Sequence, residues 1–248
     1  MADKIRIFNG NTLKILAAVC MVIDHVGLMF FPSKIIFRII GRLAFPIFAF
    51  MISEGARYTK NKLRYILTMF TLGAICQVVY YFFDYGSLYM CILITFSLSI
   101  LLIYTLQFVK EGMLASGNAM WLRAMYALFG ILVLTAVYYL NRLVQIDYGF
   151  FGCVLPAFAS LLDFRDINAP EWLKRLDTLP SRIAVFAIGL ALLSYFSGTV
   201  QYFSILAIPL LLLYSGKRGR FKMKYFFYLF YPLHLVALEA IYMLIRVL

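Results

Sequence analysis

Long apolar runs constrain the fold of this chain more than any other feature of its sequence. Residues 88–109 form one such run, which contains no charged side chain. A helix needs about 20 apolar residues to cross the roughly 30 Å hydrocarbon core of a bilayer. Because no water is present there, the backbone must satisfy its own hydrogen bonds, which leaves helices or closed barrels. The runs are continuous and do not alternate at every second residue, which favours helices.

The composition supports a membrane protein over a soluble one. Of the 248 residues, 64% are hydrophobic and only 14% are charged, whereas a soluble domain carries roughly a quarter charged residues. We therefore predict an all-α polytopic transmembrane helical bundle, with residues 1–248 forming a single integral membrane domain. The four cysteines lie scattered in apolar segments, and we interpret them as small buried hydrophobic residues, neither disulfides nor metal ligands.

The apolar runs predict about nine transmembrane helices, with the N-terminus in the cytoplasm. The second, sixth and seventh helices are short and contain or adjoin Glu, Gly or Pro. The seventh and eighth are separated only by a tight turn at 197–199. The predicted helices cover 13–31, 42–57, 64–83, 88–109, 122–140, 147–162, 182–197, 199–215 and 225–246.

The distribution of Lys and Arg tests this topology. With the N-terminus inside, 18 of the 23 basic residues, including Lys4 and Lys222, fall on the cytoplasmic side. This bias is what the positive-inside rule predicts. The net charge of +12 is therefore a topology signal and a contact with anionic lipid, so a nucleic-acid partner is not expected. The five residues predicted outside are Lys34, Arg38, Arg42, Arg142 and Arg246.

Ionisable side chains inside predicted helices are the candidate functional residues, since each is costly in a bilayer. The two histidines, His25 and His234, lie in the first and last helices. Either could also be a simple hydrogen bonder between helices. Asp24 is adjacent to His25, but their side chains diverge by about 100° on a helix, so we expect Asp24 to pair with Arg38 or Arg42. Those arginines could equally extend to the outer headgroups.

Two further charged residues follow within the second predicted helix. Glu54 lies near its end and Arg57 closes it. Because charges inside a membrane tend to pair, we interpret Glu54 as a partner for Arg57 or Arg42.

The spacing of Lys14 and His25 is informative. Ten residues separate them, which places them about 16 Å apart along one helix and on nearly the same face. A cation at the cytoplasmic end and an imidazole deeper on that face could contact the two ends of an elongated ligand. Coenzyme A has this shape, with anionic phosphates at one end and a reactive thioester at the other.

Three segments resemble the TraX family, named for a conjugation protein that acetylates the N-terminus of pilin. They are "LKILAAVCMVIDHVGLMFFP" (13–32), "RIIGRLAFPIFAFMISEGARYTKN" (38–61) and "FYLFYPLHL" (227–235). The TraX family is in turn similar to the acyltransferase-3 superfamily of integral membrane enzymes. That superfamily carries a basic residue, ten residues and then His in its first helix, which matches Lys14 and His25.

The resemblance implies an acyltransferase, most simply an acetyltransferase. The co-substrate is then acetyl-CoA or another acyl-CoA, with no metal. The acceptor is a hydroxyl or amine of a peptide, sugar or envelope polymer. Pilin itself is not carried over, because TraX-like proteins occur in bacteria without conjugative pili. The expected location is the lipid bilayer of the bacterial cytoplasmic membrane, with a homodimer left open.

The resemblance also implies roles for the candidate residues. His25 is the expected general base, and His234 and Asp24 complete the candidate catalytic group. Substrate binding is expected of four residues, and Lys14 is expected to contact the coenzyme phosphates. Two alternatives stay open. One is a proton-coupled transporter or flippase of an envelope precursor, and the other is a non-catalytic assembly partner. The four candidate substrate-binding residues are Arg38, Arg42, Glu54 and Arg57.

Overall fold

The structure is a computed structural model, and it describes residues 6–83, 89–221 and 223–247, without the side chains of 82, 83, 224, 225 and 247. Lys4 and Lys222, counted above on the cytoplasmic side, lie outside the described residues. The described part is helical, and its β structure is restricted to two isolated bridges. The α-helices are α1 (Gly10–Phe30), α2 (Ile35–Gly41), α3 (Ala44–Tyr58), α4 (Lys62–Phe83), α5 (Ile92–Leu114), α6 (Met120–Leu143), α7 (Gly149–Ser160), α8 (Glu171–Leu176), α9 (Leu179–Ser197), α10 (Ala207–Leu212) and α11 (Lys224–Val247).

The all-α polytopic fold predicted from the sequence is confirmed. Among the described residues, seven helical segments are long and apolar enough to span a membrane, and two more apolar segments are shorter. Together they coincide with the nine predicted helices. The two short segments are α7 and the segment Thr199–Leu212, in which a 3-10 helix (Thr199–Leu206) leads into α10. Gly198 before it has a φ of 96°, a conformation that favours glycine in the predicted tight turn.

The second predicted helix is longer than expected and broken. It begins at Ile35, and α2 ends at Gly41 before α3 starts at Ala44. Arg38 therefore lies within a helix, and Arg42 lies at the break. The predicted helix of 42–57 leaves Arg38 just before it, so this boundary is corrected by the structure. The positive charge of Arg38 is accommodated because Asp24 forms an ion pair with it.

The chain divides into two compact units, and the first contains residues 1–51 and 190–248. In this unit α1 and α11 run in the same direction. Lys14 lies over the ring of Phe227 at 5.8 Å, and farther along both helices Phe30 contacts Tyr242 at 5.7 Å between ring centroids. Parallel first and last helices agree with an odd number of membrane crossings.

Helix α2 packs closely on α1 in the same unit. A side chain at Gly41 would collide with Asp24, and one at Gly27 would collide with the ring of Phe37. The two glycines therefore let the helices approach closely, which brings the arginines of α2 next to the carboxylate of α1.

The second unit contains residues 52–189, and α5 forms its centre. Helices α4, α6 and α7 all pack on α5. Leu102 of α5 and Cys153 of α7 are among the buried residues of its core. The buried position of all four cysteines agrees with their interpretation as apolar core residues.

The two isolated bridges bring together loops that the sequence placed on the same side of the membrane. Phe8 pairs with Tyr214 in the first unit, and Met90 pairs with Ile146 in the second. The first pair joins two segments predicted to be cytoplasmic, and the second joins two predicted to be external. Within each unit, the bridged segments therefore lie on the same side, as predicted for helices that cross the membrane in alternating directions.

Candidate functional site

The two histidines of the chain meet in the first unit. The ring centroids of His25 on α1 and His234 on α11 are 5.1 Å apart, with the planes at 78°. Phe230, one turn before His234, stacks on its ring with the planes 7° apart. His234 is buried and His25 is half-buried. The sequence singled out both residues, but only the parallel packing of α1 and α11 makes them neighbours.

Hydrogen bonds fix which ring nitrogen carries the proton in each neutral histidine. Nδ1 of His25 lies 2.8 Å from the carbonyl oxygen of Met21, and Nδ1 of His234 lies 2.9 Å from that of Phe230. A carbonyl oxygen can only accept, so each Nδ1 donates its hydrogen. Nε2 then holds the lone pair in both rings. In His234 this Nε2 is buried and has no hydrogen-bond partner.

The carboxylate of Asp24 is shared by two arginines, as the sequence predicted. Nη1 of Arg38 donates to Oδ2 of Asp24 at 2.7 Å, and Nη2 of Arg42 lies 3.8 Å from the same oxygen. The other oxygen, Oδ1, is buried without a hydrogen-bond partner. The group carries an excess of one positive charge and keeps one acceptor atom unused.

Gln201 is the member of the site that sequence reasoning missed. It is 4% exposed and lies in the 3-10 helix, where its Oε1 accepts a hydrogen bond from Nη1 of Arg42 at 3.3 Å. An arginine can only donate, so the oxygen of the amide must face it. The amide nitrogen Nε2 therefore points elsewhere, and it is buried without a partner.

We call these residues the first-unit cluster. Leaving a buried donor or acceptor unsatisfied costs about 1–3 kcal/mol, so four such atoms within one unit make these residues a candidate ligand site. The four atoms are Oδ1 of Asp24, Nε of Arg42, Nε2 of Gln201 and Nε2 of His234. The cluster consists of Asp24, His25, Arg38, Arg42, Gln201 and His234.

Lys14 lies on the same face of α1 as His25, because both contact α11. The predicted shared face is therefore confirmed. Helix α1 is continuous from Gly10 to Phe30, so the two side chains stand about 16 Å apart along it. The face of α1 that is turned to α11 thus carries a cation near one end and an imidazole toward the other.

The structure corrects the expectation for Glu54 and Arg57. Glu54 forms its ion pair with Arg182, and Arg57 bridges Asp163 and Asp177, with both distances at 2.7 Å. The predicted pairing of Glu54 with Arg42 or Arg57 was wrong. The sequence could not favour Arg182, because 128 positions separate it from Glu54 and no local pattern links them.

These charges form a balanced group in the second unit, which we call the second-unit network. The group contains three cations and three carboxylates, and its third cation, Lys110, donates to the carbonyl oxygens of Ser160 and Asp163. The one unsatisfied atom among them is Nε of Arg57. The network consists of Glu54, Arg57, Lys110, Asp163, Asp177 and Arg182.

Comparison with known proteins supports the resemblance noted in the sequence. A family model described as TraX protein matches residues 9–242. An uncharacterized protein of Rickettsia prowazekii (strain Madrid E) is 43% identical over 68 residues, which are 27% of this chain and 25% of that protein. The probable fimbrial assembly protein FimC, serogroup H1, of Dichelobacter nodosus is 25% identical over 253 residues, covering 93% of this chain and 94% of that protein. No solved structure gives a significant match.

Proposed function

Because the chain belongs to the TraX family, we propose that this multi-pass membrane protein is an acyltransferase of the bacterial cytoplasmic membrane. It transfers an acetyl group from cytoplasmic acetyl-CoA to an amine or hydroxyl of a peptide, sugar or cell-surface polymer. The observation that carries the proposal is the pair of histidines whose Nε2 lone pairs are left available. The similarity to a probable fimbrial assembly protein supports an acceptor that belongs to a surface structure.

His25 is the general base of the proposed reaction. Its Nε2 removes the proton from the acceptor amine or hydroxyl as that group attacks the carbonyl carbon of the thioester. The tetrahedral intermediate then breaks its C–S bond, and the departing thiolate of coenzyme A takes the proton from His25. His25 is suited to this role because it is half-buried and therefore within reach of a substrate.

The remaining members of the first-unit cluster bind and orient the reactants. Arg42 is a hydrogen-bond donor for the oxygen that gains negative charge in the intermediate. Asp24 holds Arg42 and Arg38 through its ion pairs. His234 packs edge-on against the ring of His25 and so limits the orientations that this ring can adopt.

The test is turnover of acetyl-CoA by the purified full-length chain in nanodiscs. Wild type is compared with His25→Gln, and Glu171→Gln serves as a control because Glu171 is exposed on α8. We expect slow thioester hydrolysis in wild type and in the control, and a loss of about a hundredfold or more in His25→Gln. Wild type that is folded but releases no coenzyme A would contradict the proposal. Substrate flux into liposomes without acyl-CoA would then favour the transporter.

A further inference from the structure

The loop between α10 and α11 is fastened to the first turn of α1 by a series of hydrogen bonds. The backbone N–H groups of Gly10 and Asn11 donate to the carbonyl oxygens of Lys217 and Arg218, at 2.8 and 3.1 Å. The Asn11 side chain donates to the carbonyl oxygen of Phe221 at 2.7 Å. Since these contacts use the loop backbone, its basic side chains remain available for a ligand.

The fit of the loop depends on a close approach at Gly219. This residue has a φ of 97°, and a Cβ there would lie 2.6 Å from the side-chain oxygen of Asn9. That oxygen already caps α1 by accepting from the N–H groups of Asn11 and Thr12. The backbone position of Arg218 relative to α1 is therefore set on one side by the hydrogen bond at Lys217 and on the other by the close approach at Gly219.

This arrangement holds like charges together without an anion. The carbonyl oxygen of Arg218 accepts from the N–H of Asn11, which lies three positions before Lys14 on α1. Lys217 and Arg220 flank Arg218 in the loop. No ion pair joins any of these four residues to a carboxylate of residues 6–83, 89–221 or 223–247. Fixed cations that repel one another are stabilised when an anion binds between them, and phosphate is the anion that Arg and Lys recognise best.

We propose that Arg218, held on α1 through its carbonyl oxygen by the N–H of Asn11, forms with Lys14 the binding site for the nucleotide phosphates of the acyl-CoA donor. This inference rests on the proposed function for the identity of the donor. Lys14 stands about 16 Å from His25 along α1, so a ligand bound at this end can extend its thin arm along α1 toward His25. Arg218 is thereby a donor-binding residue, whereas the sequence alone indicated only that the basic residues of this loop are a signal of membrane topology.

The chemistry recognised is a phosphate group, which a phospholipid headgroup could also supply. The experiment therefore uses two donors, acetyl-CoA and the acetyl thioester of N-acetylcysteamine, which has the thioester without any phosphate. Both are assayed in nanodiscs of phosphatidylcholine alone. The variants are Arg218→Gln, Arg218→Lys and Arg175→Gln, the last removing an exposed arginine of the second unit.

We expect Arg218→Gln to raise the KM for acetyl-CoA about tenfold, because one charge-assisted contact is lost. The KM for the phosphate-free thioester stays at the wild-type value. Arg218→Lys recovers part of the affinity, and Arg175→Gln changes neither KM. Equal KM values for acetyl-CoA in wild type and Arg218→Gln, or an equal loss with both donors, would overturn the inference.

A binding measurement distinguishes coenzyme phosphate from lipid phosphate. It also distinguishes failure of the phosphate site from failure of the proposed enzymatic function. Binding of adenosine 3′,5′-bisphosphate to the same nanodiscs is measured directly. If wild type binds it, Arg218→Gln weakens it and neither donor turns over, the site stands while the enzymatic function fails. The inference is overturned if wild type does not bind the bisphosphate and phosphatidylglycerol raises the thermal stability of wild type but not of Arg218→Gln. The site would then recognise lipid.

Discussion

The first-unit cluster and the second-unit network both bury charged side chains, but they satisfy them differently. In the network, Arg57 and Arg182 are matched by carboxylates, and one nitrogen atom remains without a partner. In the cluster, four residues each keep one buried polar atom without a partner, namely Asp24, Arg42, Gln201 and His234. A buried charged group in which nearly all polar atoms have partners stabilises a fold, whereas buried polar atoms without partners are typical of a site that binds a ligand. We therefore propose that the cluster carries the reaction chemistry and that the network has a structural role.

The largest effect on stability is expected from breaking the network. Replacement of Arg182 by Leu leaves Glu54 buried without its cation, since both side chains are less than a tenth exposed. We expect a loss of about 3 kcal/mol or more in the free energy of unfolding, measured by thermal or denaturant unfolding in detergent. Unchanged stability with lost turnover would show instead that the network belongs to the site.

A smaller and opposite pattern is expected from Gln201→Leu. The variant removes a buried amide that is only half satisfied, so stability changes by less than about 1 kcal/mol. Turnover of acetyl-CoA falls about tenfold, because Arg42 loses the acceptor that orients it. Gln201→Asn, which is shorter by one methylene group, is the matched comparison. If Gln201→Leu fails to fold, Gln201 stabilises the fold and its role in orienting Arg42 for the reaction is contradicted.

The smallest effect is expected at Arg38. Its side chain is 31% exposed, so its ion pair with Asp24 is partly screened by solvent. Arg38→Gln should lower stability by less than about 1 kcal/mol and reduce turnover less than Arg42→Gln does. The comparison is made by measuring kcat and KM for both variants, and a larger defect at Arg38 would reverse the assignment of Arg42 as the substrate donor.

Several features of the fold could be predicted because they depend on residues that are close together in sequence. Apolar runs indicated the helices, and the bias of Lys and Arg predicted which loops share a side, as the bridge from Phe8 to Tyr214 bears out. The shared face of Lys14 and His25 followed from helical geometry alone. The pairing of Asp24 could also be predicted, because its partner Arg38 lies only 14 positions later in the chain.

The remaining contacts depend on tertiary packing that no local pattern encodes. The break between α2 and α3 is hidden in a continuous apolar segment, where Gly41 is needed for a close approach to Asp24. Gln201 has no charged neighbour in sequence that marks it, and it contacts Arg42 across 159 positions. Glu54 was assigned to a nearby arginine because sequence reasoning favours close partners, whereas folding selected Arg182.

The most direct test of the account is acetyl-CoA turnover per folded molecule for His25→Gln and Glu54→Gln, measured side by side in nanodiscs. Each variant replaces one titratable side chain with the same amide, and the fraction folded is determined by size-exclusion chromatography. We predict that folded His25→Gln releases no coenzyme A above background, while folded Glu54→Gln turns over at the wild-type rate. Activity in His25→Gln together with its loss in folded Glu54→Gln would contradict it.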